Sequence, residues 1–186
     1  MDVSTLHRRT VEAWQRTLDG IEPEQWAGPT PCTEWDVRTL VNHVTYEQLW
    51  APHLVGGETV ADVGDRYEGD VLGDDPRASW NDAVAASLAA FASADLDATV
   101  HLSYADVPCG EYLMQMLTDA EIHGWDLAKA IGTDATINPE AATYLYGEWV
   151  QQEELVRGSG MFGNAVEVAD DADDATKLLA LLGRQA

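Results

Sequence analysis

Two residues suited to metal binding stand four positions apart near the middle of a predicted helix. Asp119 and His123 lie in a helical segment from about Gly110 to Ile131. Residues at this spacing project from one face of a helix, one turn apart. Histidine pairs with the same spacing bind zinc on helices. The alternative is an ordinary helical ion pair, since two ligands are too few for a stable site.

A third ligand is available on another predicted helix. His43 lies in the middle of a segment whose apolar stripe is Val37, Leu40, Val41 and Val44. Helical bundles hold metal ions between inward-facing side chains of neighbouring helices. Three protein ligands leave positions open for water or substrate, which is typical of catalytic sites. His43, Asp119 and His123 are therefore the candidate metal ligands, unless His43 is a packing or surface residue.

Composition limits the class of protein. The 186 residues are 46% hydrophobic and include seven Trp, which is typical of a globular fold. We expect one domain, residues 1–186. The net charge of −23 would repel a phosphate backbone, so nucleic acid is not an expected partner. The sequence has no membrane-length apolar run and no segment of signal-peptide type. We predict a cytoplasmic protein without a membrane partner, either a monomer or a homodimer.

The cysteines do not indicate a structural zinc site. Cys32 and Cys109 are the two cysteines of the chain, and no Cys-x-x-Cys is present. A disulfide is not expected in a cytosolic chain. Cys32 precedes a predicted helix N-terminus, where thiolate is favoured. It is either a buried structural thiol or a site for a mixed disulfide with a small thiol.

The helix signals predict an all-α protein. Asp75-Pro76 and Asn138-Pro139 each pair an N-cap with proline at the first helical position. A capping box at Thr33 begins the second helix, and Pro52 ends it near Trp50. The predicted helices span residues 4–18, 33–50, from 76, 110–131, 139–157 and 175–182. Residues 56–75 form a long irregular connection. Residues 100–104 alternate like a strand, but without an evident partner strand they are interpreted as an extended connection.

Four long amphipathic helices in a chain of this length predict a four-helix bundle. The connections between these helices are long rather than tight turns. They indicate a topology other than simple up-and-down. The terminal segment adds an extra C-terminal helix to the bundle.

Two motifs carry a resemblance to a known family. Residues 30–43, TPCTEWDVRTLVNH, resemble the opening motif of the DinB/YfiT-like metal-binding superfamily. More narrowly, they are similar to the actinobacterial branch around mycothiol-dependent maleylpyruvate isomerase. Residues 123–128, HGWDLA, resemble the second motif of that branch. Shorter matches extend the resemblance over nearly the whole chain, to a small-protein subgroup that is described only as metal-binding.

The resemblance implies a four-helix bundle of DinB/YfiT type with a divalent metal, often zinc, on His43, Asp119 and His123. In the isomerase the middle ligand is Glu, one methylene longer than Asp119. Glu121 and Asp126 are fallback ligands, but neither has the spacing of Asp119 to His123. The isomerase also has a C-terminal domain that contributes to its active site. We find no counterpart in this sequence, which argues against maleylpyruvate itself as substrate.

Other relatives conjugate low-molecular-weight thiols to electrophiles. The resemblance therefore implies a metal-dependent enzyme that uses mycothiol or a similar thiol for S-transfer or isomerisation of a small electrophile. Glu47, one turn beyond His43, is the candidate catalytic residue, which orients a ligand or moves a proton. The alternative interpretation is that Glu47 is a solvated carboxylate on the helix surface. Asp126 supports His123 or binds the cofactor, or else ties helices together. Trp50 lines the pocket mouth and binds the cofactor, or else packs in the core.

Two other functions stay open at this point. The first is a metal-dependent hydrolase with Glu47 as base. The second is a non-catalytic metal-containing protein that binds a small molecule. His7, His53 and His101 have no ligand at suitable spacing and are interpreted as surface or packing residues. Residues 170–174 lack the glycine and terminal Glu of a calcium loop, so they are interpreted as a solvated acidic turn.

Overall fold

The protein is described by a computed structural model that covers residues 2–152 and 163–185. Among these residues the helices and strands are α1 (Val3–Asp19), α2 (Val37–Val55), α3 (Val60–Val63), α4 (Pro76–Ser93), β1 (Thr99–His101), β2 (Asp106–Pro108), α5 (Cys109–Ile131), α6 (Pro139–Trp149) and α7 (Asp174–Leu181). Short 3-10 helices lie at Pro23–Gln25 and Val150–Gln152. The predicted all-α fold is confirmed. None of the described helices is long and apolar enough to cross a lipid bilayer.

The chain divides into two compact units, Met1–Ala135 and Thr136–Ala186. In the first unit α1, α2, α4 and α5 form a four-helix bundle, in which α2 packs on α4 and α5 while α1 packs on α5 and α4. An aspartate caps each of α1, α2 and α4, because its carboxylate accepts a backbone N–H of the first turn. The prediction of one domain over residues 1–186 stays a prediction.

The core of the bundle consists of two apolar clusters. The first, called the Trp14 cluster, includes Val41, Val44, Trp80 and Leu127. The second, called the Trp50 cluster, includes Phe91, Tyr112, Leu113 and Met116. Trp50 lies late in α2 and Tyr112 lies early in α5. These two helices therefore run in opposite directions, which brings the early part of α2 beside the late part of α5.

The start and the end of α2 differ from the prediction. The helix begins at Val37, because Asp36 rather than Thr33 is its N-cap and accepts the N–H of Thr39 at 2.8 Å. A β-bridge between Pro29 and Asp36 holds this residue in the extended conformation that an N-cap requires. The helix also continues through Pro52 to Val55. Proline removes one N–H near the helix end, while buried Ala51 and Leu54 keep the last turn packed on the core.

The segment interpreted as an extended connection is a strand. Val100 in β1 pairs with Val107 in β2, in an antiparallel hairpin. The sequence concealed the partner strand because Val107 stands between Asp106 and Pro108, two residues that are rare in strands. The hairpin leads directly into α5. The connection over residues 56–75 is irregular apart from the single turn of α3.

The second unit contains α6 and α7, which pack on each other. Asn138 and Pro139 begin α6 as predicted, and α7 agrees with the predicted terminal helix. Thr143 on α6 donates a hydrogen bond to Asp174 at 2.6 Å. The predicted end of the fifth helix, near Arg157, lies outside the described residues. Asp173 of the acidic turn is the N-cap of α7, so this carboxylate has a structural role.

Candidate metal centre

The antiparallel packing of α2 on α5 brings His43, Asp119 and His123 together. Nε2 of His43 lies 3.1 Å from Oδ1 of Asp119, and Nε2 of His123 lies 3.4 Å from the same oxygen. The ligand atoms of the three residues lie within 4.8 Å of one another. Donors placed about 2.1 Å from one tetrahedral zinc ion are roughly 3.4 Å apart. The observed distances fit three ligands of one ion.

The three side chains are partly open to solvent. The exposed fraction is 27% for His43, 26% for Asp119 and 12% for His123. The side chains that carry the ligand atoms are therefore in part exposed at the surface. Catalytic zinc sites keep one position open in this way, whereas structural sites close all four with protein ligands.

A second group of possible ligands, Cys32, His123 and Asp126, shares His123 with the first. Its members already bond to one another, since Sγ of Cys32 donates to Oδ2 of Asp126 at 3.3 Å. The Asp126 side chain has no exposed surface. Because the carboxylate of this second group is buried and already bonded within the group, the His43 group is the better candidate for a reactive centre.

Asp126 determines how His123 faces the centre. Oδ2 of Asp126 lies 3.0 Å from Nδ1 of His123, the ring nitrogen on the side away from Asp119. A carboxylate here favours the tautomer with hydrogen on Nδ1 and leaves the lone pair of Nε2 directed at the centre. The supporting role predicted for Asp126 fits this geometry, and its role in cofactor binding stays a prediction.

Trp35 covers the two histidines, a contact that sequence reasoning missed. Its ring centroid lies 4.7 Å from that of His43 and 5.5 Å from that of His123. Cys32, from the same turn, was also missed as a neighbour of His123. Thr30 anchors this turn by donating to the carbonyl of Trp35 at 2.9 Å. The motif over residues 30–43 marked the segment, but spacing along the chain did not show which side chains return to the centre.

Glu47 lies one turn beyond His43 and makes no hydrogen bond with any residue that the structure describes. Burial and, to a smaller extent, the charge of Asp119 raise the pKa of the Glu47 carboxyl to about 7, while His43 opposes this change. Burial alone would lower the pKa of His43, but Asp119 and Glu47 raise it above its usual value. The charges acting on the centre are thus mainly carboxylates, which favours binding of a cation.

The other predicted residues lie around the centre or away from it. Trp50 is largely buried, and its ring packs 5.5 Å from that of Tyr46. Whether it binds a cofactor stays a prediction. Glu121, a fallback ligand, faces α1 instead, where it accepts a hydrogen bond from Thr10 at 2.5 Å. The histidines outside the centre have other contacts, to Phe91 for His7, to Glu58 and Tyr67 for His53, and to Asp106 for His101.

Comparison with known proteins identifies related sequences and folds. A family model described as the mycothiol maleylpyruvate isomerase N-terminal domain matches residues 7–128. Two uncharacterized proteins of Mycobacterium tuberculosis, MT0763 and Rv0738, are each 31% identical over 99% of this chain and 98% of their own length. A crystal structure of the mycothiol-dependent maleylpyruvate isomerase is 19% identical, with a TM-score of 0.63 over 81% of this chain and 71% of its own. The crystal structure of a point mutant of that isomerase, also 19% identical, has a TM-score of 0.68 and covers 91% of this chain and 75% of its own. These structures share the DinB-like fold with this chain.

Proposed function

Because the chain belongs to the mycothiol maleylpyruvate isomerase N-terminal domain family, we propose that it is a metal-dependent enzyme that uses a low-molecular-weight thiol. The thiol is of the mycothiol type, and the reaction is S-transfer to a small electrophile or isomerisation of one. The observation that carries this proposal is the donor set of His43, Asp119 and His123, gathered from two helices and partly open to solvent.

Two imidazoles and one carboxylate at the distances described fit a divalent ion, and zinc is the first candidate. When bound, it would lower the pKa of a thiol at its open position, so that the nucleophilic thiolate forms at neutral pH. His43, Asp119 and His123 would hold the ion, and Asp126 would keep Nε2 of His123 directed at it. Trp35 covers the imidazole rings on one side and excludes water there.

Glu47 is the candidate acid–base residue of this centre. Its carboxyl lies one helical turn from His43 and has no hydrogen-bond partner among the described residues, so it is available to a ligand. It orients the ligand or takes a proton from it. Trp50 follows Glu47 on the same side of α2 and supplies apolar surface to the ligand. The cytoplasmic location and the monomeric or homodimeric state remain predictions from the sequence.

Elemental analysis tests the metal centre. Protein purified without chelator should contain about one divalent ion per chain, and His43→Ala and His123→Ala should each lose it. His101→Ala is the matched control, because His101 bonds to Asp106 in the β-hairpin. Unchanged metal content in both site variants would refute the assignment of these histidines as metal ligands.

A conjugation screen then tests the reaction. The zinc-loaded protein is mixed with a small thiol and an activated aryl halide, and loss of free thiol is measured. We expect turnover that requires both metal and thiol and that falls at least tenfold in Glu47→Gln. Hydrolysis of activated esters without any thiol would support a hydrolase instead. Binding of thiol or electrophile without turnover would support a non-catalytic binding protein.

A further inference from the structure

Tyr112 extends the face of α5 that carries the metal centre. Tyr112, Met116, Asp119 and His123 are spaced four, three and four residues apart, so they lie along one face of the helix. On α2, which runs in the opposite direction, His43, Glu47 and Trp50 follow the same kind of spacing. The two rows face each other, and Trp50 and Tyr112 belong to the same apolar cluster. The seam between the helices thus leads from the metal centre to Tyr112.

The hydroxyl of Tyr112 is buried without a partner. The residue is 5% exposed, and its hydroxyl makes no hydrogen bond with any residue the structure describes. Its ring is held by Phe91 of α4, at 5.8 Å between centroids. A buried hydroxyl without a partner costs about 1–3 kcal/mol. A ligand that accepts a hydrogen bond from this hydroxyl would remove that cost.

Among the charged groups around it, Glu47 has the largest effect on the pKa of Tyr112. Burial raises the pKa of Tyr112 well above its usual value, and the charges of Glu47 and Asp119 act in the same direction. The phenol therefore stays protonated and can donate a hydrogen bond. Glu47 likewise has no hydrogen-bond partner among the described residues. The seam thus contains a donor and a carboxyl, neither of which has a hydrogen-bond partner among the described residues.

We propose that Tyr112 is a ligand-binding residue of this centre, and that with Glu47 it binds a neutral oxygen-bearing group, a hydroxyl or an amide, of the small molecule whose other end reaches His43, Asp119 and His123. This inference rests on the proposed function. A hydroxyl or amide accepts from the phenol and donates to the carboxylate at the same time. A ligand carboxylate would accept from the phenol but has no proton to donate to the Glu47 carboxylate, which repels it when ionised. Tyr112 and Glu47 therefore select for an uncharged polar ligand.

The distance from the metal centre to Tyr112 can be spanned by a small molecule. Seven residues of helix separate Tyr112 from Asp119, which corresponds to about 10 Å along the axis. A chain of three or four atoms bound at the metal centre, with a hydrogen bond at its far end, spans roughly this length. Two thiols of equal carbon count, 1-thioglycerol with two hydroxyls and 1-propanethiol with none, therefore serve as probes.

Calorimetric titration of the zinc-loaded protein measures the two dissociation constants. We expect 1-thioglycerol to bind roughly five- to tenfold more tightly than 1-propanethiol, which corresponds to about one net hydrogen bond. Tyr112→Phe removes only the hydroxyl and should abolish this preference, while zinc content stays unchanged. Tyr104→Phe is the matched control, since Tyr104 is exposed and its hydroxyl accepts from Gln115.

Stability separates a binding role from a structural one. Because the hydroxyl has no hydrogen-bond partner in the part of the chain that the structure describes, Tyr112→Phe should unfold at a temperature no lower than the wild type. A lower unfolding temperature, equal affinities of the wild type for both thiols, or a preference that survives in Tyr112→Phe would each overturn this inference alone. If neither thiol binds the zinc-loaded wild type, the proposed function fails and this inference fails with it.

Discussion

Nδ1 of His123 lies 3.0 Å from Oδ2 of Asp126, and that carboxylate is completely buried. The two residues are three apart on α5, so the contact is built into the helix. It directs the other ring nitrogen of His123, Nε2, at Oδ1 of Asp119. The same oxygen also contacts Nε2 of His43 on α2. The orientation of a candidate metal ligand is thus determined by a residue with no access to solvent.

Replacing this carboxylate should weaken metal binding without removing a ligand. Asp126→Asn keeps the size of the side chain but no longer favours hydrogen on Nδ1 of His123. We expect zinc affinity to fall about 10- to 100-fold. Competition with a chromophoric chelator measures this change. Asp82→Asn, at an exposed position on α4, is the control and should leave the affinity unchanged. Equal affinity in Asp126→Asn and wild type would contradict the orienting role.

Gly124 allows α1 to approach α5 closely. A Cβ at this position would lie 3.1 Å from Nε1 of Trp14, which donates to the carbonyl of Ala120 at 2.7 Å and stacks on Trp80. Trp14 therefore cannot move aside. Gly124→Ala should destabilise the protein by about 1–3 kcal/mol, although replacing glycine within a helix normally stabilises by about 1 kcal/mol.

Gly147 on α6 is the matched control for this substitution. Outside the backbone of α6 itself, no atom of the described residues lies within 4 Å of a Cβ at this position, so Gly147→Ala should be neutral or stabilising by roughly 0.5–1 kcal/mol. Denaturant unfolding of the two variants gives both values. Equal effects would show that Trp14 adapts to the added methyl group.

His7 should make stability depend on pH. Burial lowers its pKa to about 4 in the folded protein, from an ordinary value of 6.5. As pH falls below 6.5, the unfolded chain takes up a proton before the folded chain does. The contribution of His7 is therefore fully present above pH 6.5 and is lost progressively down to about pH 4, by roughly 3 kcal/mol.

Unfolding of metal-free protein at a series of pH values isolates this effect. His7→Leu should lose less stability between pH 6.5 and 4 than the wild type. His101→Gln should keep the wild-type dependence, because the His101 side chain is 40% exposed. Parallel curves for His7→Leu and wild type would show that His7 takes up its proton at the same pH in the folded and the unfolded chain.

Arg77 closes the C-terminal end of α1. Its Nη2 donates to the carbonyls of Asp19 at 3.2 Å and Ile21 at 3.1 Å, and lies 3.4 Å from that of Leu18. A guanidinium at a helix C-terminus also complements the helix dipole. Arg77→Met should therefore destabilise by about 1–2 kcal/mol.

Arg8 provides a matched control for Arg77. It forms an exposed pair with Glu12 four residues along α1, and such pairs contribute only about 0.3–0.5 kcal/mol. Denaturant unfolding of Arg8→Met and Arg77→Met should separate the two contributions. A loss in Arg77→Met no larger than that in Arg8→Met would exclude the capping role.

The helices were predictable where one local signal had no competitor. Asp75 before Pro76 and Asn138 before Pro139 mark helix starts that the structure contains as predicted. The predicted start of α2 was wrong because Thr33 and Asp36 are both possible N-caps. The β-bridge of Asp36 to Pro29 decides between them. The hairpin was missed because a strand is stabilised by its partner, and β2 carries no apolar run of its own.

The sequence by itself determined the composition of the centre, since the spacing of Asp119 and His123 follows from helix geometry and the motifs indicated His43. Tertiary structure alone decided which side chains come to these residues from elsewhere. The fold of the turn before α2 brings Trp35 over both imidazoles and Cys32 beside Asp126. The packing of α2 on α5 places Tyr112 at the end of the seam. The reason is physical: spacing within one helix is local geometry, whereas contacts between segments depend on the packing of the whole core.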